Sequence, residues 1–169
     1  MRTKPCLTSA DAHKMMAACK AEAQKNGWKV TIAIVDDAAA PLLLERLDGA
    51  GPTTPEVALG KARTAALTRQ PTRVWEERVK ERPAFLNFPA GLAITGAVPI
   101  MAQTECVGAI GVSGVQSQDD EKIASAASPR WRARAVSAQL DACGASSALR
   151  EAAATPNTKR TKRLRGVCD

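Results

Sequence analysis

The sequence predicts an α+β domain, a set of antiparallel strands with helices packed on them, and three observations carry that reading. Trp28, Val30, Ile32 and Ile34 alternate with Lys29, Thr31, Ala33 and Val35, the period of a strand with one well-buried face. Strand-like runs come in pairs joined by short connections, as hairpins require: 28–34 with 42–47, and 98–102 with 106–112. Helical segments with start and stop signals lie before, between and after those pairs, and helices added to an antiparallel sheet define the class.

Taken in order, Thr8 caps a first helix with Asp11 three residues on, Met15 and Cys19 share a face four residues apart, and Asn26-Gly27 ends it. The turn from Asp36 to Pro41 joins the first two strands. Thr53, Pro55 and Glu56 predict a capping box with Pro in the first turn of a second helix. Its interior residues, Ala58, Gly60, Ala62, Ala65 and Ala66, are small, so a backbone or a ligand can come close. Pro71 stops it, Thr72 is a candidate cap for a third helix bearing Trp75 and Val79, and Pro83 ends that one. Residues 84–97 read as an ordered loop. Gln103-Thr-Glu105 connects the last hairpin, and a final helix starts near Ser117.

Composition narrows the function classes. The chain has 169 residues, 45% of them hydrophobic but only 3% aromatic, so its core must be built from small aliphatic side chains. Residues 1–127 hold 15 Lys/Arg against 14 Asp/Glu, whereas residues 128–169 hold 9 against 3 and carry +6 of the net +7. A near-neutral body argues against one that binds nucleic acid through many phosphate contacts. The expected organisation is therefore one domain over 1–127 and a basic, largely disordered tail over 128–169, the tail offering weak, non-specific contact with nucleic acid. No apolar run approaches the roughly 20 residues of a membrane span, and no secretion signal is evident, so a cytoplasmic protein without a membrane role is expected. Five cysteines without a C-x-x-C pair read as reduced, non-catalytic thiols.

Gly108-Ala-Ile-Gly-Val-Ser-Gly114 lies between a strand and a helix, but its spacing is not that of a dinucleotide fingerprint. Asp119, Asp120 and Glu121 would also repel a phosphate from the helix start. The glycines are better explained by close packing of a helix on a strand. His13 is the only histidine. That excludes histidine pairs and multi-histidine metal centres but leaves one axial haem ligand, with Cys19 or Cys106 next in line. Charge concentrates in Glu45, Arg46, Asp48, Lys61 and Arg63. There Arg46 is suited to clamp a carboxylate, and Lys61 to meet an anionic group or, if buried, to move a proton; a solvated salt-bridge network is the plainer alternative.

The stretches Leu7-Thr-Ser-Ala-Asp-Ala, Ile34-Val-Asp-Asp, Leu44-Glu-Arg-Leu-Asp-Gly-Ala50, Lys61-Ala-Arg-Thr-Ala-Ala66, Gly96-Ala-Val-Pro-Ile100, Cys106-Val-Gly-Ala-Ile-Gly-Val-Ser-Gly114 and Gln118-Asp-Asp-Glu121 together resemble the GlcG/HbpS-like haem-binding (haem-degrading domain) family. The resemblance runs in order from about residue 7 to 127. It implies a profilin-like fold with a five-stranded antiparallel sheet, self-association into a homo-oligomer, and binding of haem or a related tetrapyrrole. Arg46, Asp48 and Lys61 then become candidate ligand-binding residues and His13 a candidate haem ligand. The alternative function is an enzyme acting on a small carboxylic or aromatic acid. One departure from the family pattern is local: Ala38-Ala-Ala-Pro41 stands where Gly-Gly, often followed by His, is usual. The substitution removes the residues best suited to positive φ, and with them a possible ligand.

Overall fold

A computed structural model of the chain describes residues 4–87 and 91–127. The chain divides into two compact units, Met1–Arg132 and Ala133–Asp169, and every described residue belongs to the first. The basic tail expected over 128–169 lies outside the described residues.

Helix α1 spans Ser9–Lys25 and starts as the sequence predicts. The Thr8 hydroxyl accepts the Asp11 N–H at 3.2 Å and the Asp11 carboxylate accepts the Thr8 N–H at 3.2 Å, closing a capping box with Asp in place of Glu. Strands β1 (Thr31–Asp36) and β2 (Pro41–Arg46) form the first antiparallel hairpin. In its turn Asp36 Oδ1 accepts the N–H groups of Ala38 and Ala40, while Ala39 adopts φ +67°. The left-handed conformation usual for glycine is thus kept by an alanine.

Helix α2 spans Thr54–Thr68 with Pro in its first turn, but the expected capping box does not form. The Thr53 side chain makes no cap bond, whereas the neighbouring Thr54 hydroxyl donates to Gly51 O at 2.8 Å and meets Thr31 Oγ1 at 2.7 Å. Helix α3 spans Thr72–Glu81 and is preceded by Pro71 as cap; a short 3-10 turn, Pro83–Asn87, follows. Thr72 is therefore inside the helix, not its cap. Strands β3 (Ala97–Ala102) and β4 (Glu105–Ser113) make the second hairpin, and helix α4 occupies residues 117–127.

The sheet is antiparallel throughout, in the order β2-β1-β4-β3. Helices on both faces explain why β1 is buried on both sides rather than one, from Thr31 to Val35. On one face Ile32, Ile34, Ile110 and Val112 pack with Met15 and Met16 of α1 and Ile123 of α4. On the other, Ala33, Ala97 and Ala109 meet Ala58, Ala62 and Ala65 of α2. Gly111 permits that approach: a Cβ there would lie 2.2 Å from Ala58 O and 2.6 Å from Ala62 N. The glycine-rich segment thus serves packing.

Four strands, not the five implied by the family resemblance, form the sheet among the described residues. The reason lies at β3. Ala97 turns its N–H and C=O away from β4, and the Thr72 hydroxyl takes both, at 2.9 and 3.3 Å. Of the chain before β3, Gly96 O accepts the Val112 N–H of β4, while Leu92 N–H donates to Gly60 O of α2 and Thr95 N–H to Glu76 of α3. No helix among the described residues is long and apolar enough to cross a membrane.

Candidate functional site

Lys61 lies on the sheet-facing stripe of α2, one residue before Ala62 and three after Ala58, and is 2% exposed. Its ammonium donates to Asp120 Oδ2 at 2.8 Å and to Val112 O at 3.1 Å. Asp120 stands on the inward stripe of α4 with Ile123, Ala124 and Ala127 and is 1% exposed. Its other oxygen accepts the Val115 N–H at 3.2 Å. The pair therefore ties α2, packed on one face of the sheet, to α4, packed on the other.

Gly96 makes room for it. A Cβ on Gly96, whose φ is +133°, would lie 2.6 Å from Lys61 Nζ and 2.9 Å from Asp120 Cβ. Burial raises the Asp120 carboxyl above its ordinary value, against the opposing pull of the Lys61 ammonium and of the Val115 N–H. Removal from water thus outweighs ion pairing at this carboxylate. The geometry holds two opposite charges in the interior and joins two layers; it does not present the ammonium to solvent.

The other two residues expected beside Lys61 go elsewhere. Arg46 donates from Nε and Nη2 to Ala50 O, at 3.0 and 2.6 Å, and so clamps the loop leading into α2. Asp48 is exposed on that loop. Arg46 pairs with Thr31, whose hydroxyl meets Thr54 of α2, so the guanidinium belongs to the α2 side of the sheet. Glu45 points to the opposite side and pairs with Lys20 of α1.

His13 is exposed on α1, across the sheet from Arg46 and Lys61. Its Nδ1 lies 2.8 Å from Ser9 O, one turn back. A carbonyl can only accept, so in this bond Nδ1 is the donor; the Ser9 hydroxyl lies 3.4 Å from the same nitrogen, and the bond to Ser9 O does not use Nε2. The thiols are less suited to a ligand role. Burial pushes Cys19 up to about 12, and burial likewise raises Cys106. Among the described residues no group of three or more His, Cys, Asp or Glu side chains is placed to hold a metal ion.

Asp120 is the residue that the reading of the sequence missed. Its place in the first turn of a helix explains an acidic residue without any partner. The signal was nevertheless present, because Ile123, Ala124 and Ala127 follow at the spacings of one helix face and carry Asp120 inward with them.

Comparison with known proteins bears on the family and the fold. Over 114 residues the chain is 41% identical to protein GlcG of Escherichia coli strain K12, spanning 67% of this chain and 85% of that protein. A double mutant of Streptomyces reticuli HbpS superposes with a TM-score of 0.73 at 32% identity, covering 77% of this chain and 90% of that one. The chain of a PduOC–haem complex shares the fold, with a TM-score of 0.68 at 22% identity over 74% of this chain and 94% of its own. The family model described as haem degrading protein HbpS-like matches residues 7–128. With that match spanning most of its length, the chain belongs to the HbpS-like family.

Proposed function

We propose that the protein binds haem or a related tetrapyrrole, as a self-associating protein, and that His13 would hold the haem iron. The observation that carries this reading is the hydrogen bond from His13 Nδ1 to Ser9 O, which favours the tautomer that a metal-ligating imidazole needs, on a residue exposed to solvent. Membership of a family described as haem degrading, and the haem held on this fold by PduOC, support it. When bound, haem would supply an iron centre for redox or diatomic-ligand chemistry. The protein's part is to orient the imidazole through the backbone of α1.

The alternative, an enzyme acting on a small carboxylic or aromatic acid, rests on Arg46, whose Nη1 lies outside the two bonds to Ala50 O. Asp48 shares its loop. Lys61 supports that reading less, since its ammonium is already held between Asp120 and Val112 O. An absorbance titration with ferric haem separates the two readings. Wild type should give a saturable Soret shift, His13→Ala should weaken binding at least tenfold, and Arg46→Ala should leave the shift intact. A Soret response that His13→Ala leaves unchanged overturns the assignment of His13.

A further inference from the structure

The two edges of the sheet are finished differently. At β3 the outward groups of Ala97 are taken by Thr72, Pro99 has no N–H to offer, and the register slips between Ile100 and Met101. These are devices that stop a sheet from adding another strand. At β2 Pro41 likewise has no N–H and the register slips between Ile34 and Val35, but at Leu44 and Arg46 the outward backbone groups meet no bond from the described residues. Leu47 N–H donates to Val30 O, so alternation along the hairpin turns the backbone groups of Leu43 and Glu45 toward β1 and those of Leu44 and Arg46 away from it. None of the described residues bonds these outward groups.

The side chains of β2 match that open edge. Leu42 and Leu44 are each 39% exposed, and the strand's two charged side chains are bound within the same chain, Arg46 to Ala50 O and Glu45 to Lys20. The charges that would ordinarily guard an edge are thereby turned away from it.

We infer that β2 is an interface for a second copy of this chain, the two β2 strands pairing antiparallel about a two-fold axis at Leu44 to make one eight-stranded sheet. An antiparallel strand is complementary to itself under a two-fold axis, since each copy offers the donors and acceptors the other lacks. In this register Leu44 faces Leu44 of the partner, and Leu43 faces the partner's Glu45. The Leu44 backbone groups of the two copies exchange hydrogen bonds. The inference rests on the self-association proposed above and names its surface.

Two measurements test it. Sedimentation equilibrium of the full chain should show a dimer or a multiple of it, and Leu44→Asp, which sets two carboxylates opposite each other, should raise the dimer dissociation constant by about tenfold or more. In a background with Cys6, Cys143 and Cys168 changed to Ser, Leu44→Cys should form an intermolecular disulfide on mild oxidation, because paired residues bring their Cα atoms to about 5.5 Å. Leu67→Cys, exposed on α2, should not. A monomeric wild type overturns self-association itself. An oligomer that neither Leu44→Asp weakens nor Leu44→Cys cross-links leaves self-association standing and overturns this surface.

Discussion

The two faces of the sheet are built from different materials. Toward α1 and α4 the core is Ile, Val and Met; toward α2 it is almost entirely alanine. A face of large side chains is sensitive to what is removed. A face of alanines and glycine, where Gly111 leaves no room for a Cβ against Ala58 O, is sensitive to what is added. His13, the proposed haem ligand, is carried on the outer side of the first layer, and the buried Lys61 lies within the second.

The largest effect should come from the ion pair that joins the layers. Lys61→Met or Asp120→Leu alone leaves one buried charge without its partner and should cost about 3–5 kcal/mol in denaturant unfolding. The double substitution should be neutral or stabilising, because burial already raises the Asp120 carboxyl. The pH dependence follows from that direction. A carboxyl raised in the folded state contributes stability that is fully present below its unfolded value of 3.8 and lost as pH rises through the folded value. Relative to the double variant, wild type should therefore lose stability as pH rises from below 4.

The contrast between the faces sharpens with two core substitutions of opposite kind. Ile110→Ala, on the large face, should cost about 3 kcal/mol through lost burial and a cavity. Ala62→Val, on the small face, adds apolar surface yet should still cost about 2 kcal/mol by overpacking. Urea unfolding of both, set beside the reverse test of Ala62→Gly, reads the asymmetry.

A smaller effect of the opposite sign is expected at the first hairpin. Ala39→Gly should stabilise by about 1 kcal/mol, because alanine at φ +67° bears a steric cost that glycine avoids. Thermal unfolding would show it as a raised midpoint. Arg46→Ala should cost about 1 kcal/mol through its two bonds to Ala50 O while leaving haem affinity unaltered.

Local chemistry was legible in the sequence where it was self-contained. Thr8 with Asp11 caps α1 as expected, both hairpins form, and the small side chains of α2 do let the sheet approach. What the sequence hid depends on partners far along the chain. Thr72 looks like a cap because its residue type favours caps, yet its hydroxyl is used by Ala97, 25 residues away. The Lys61–Asp120 pair spans 59 residues, and either residue alone reads as an ordinary surface charge. Arg46, Asp48 and Lys61 lie close in sequence, but the strand and helix that carry them turn Arg46 and Lys61 to separate partners. The fifth strand was implied by the family resemblance rather than by periodicity, and the β3 edge where it would add is occupied by the side chain of Thr72, 25 residues from Ala97.

The central claim, that the outer side of α1 holds the ligand through His13, is tested most directly by the nitrogens of that single histidine. In tag-free protein labelled with 15N-histidine, a long-range 1H–15N spectrum should show one ring, protonated at Nδ1, whose Nε2 signal is broadened away when ferric haem is added. A ring signal that stays sharp and unshifted while haem binds elsewhere would contradict the account.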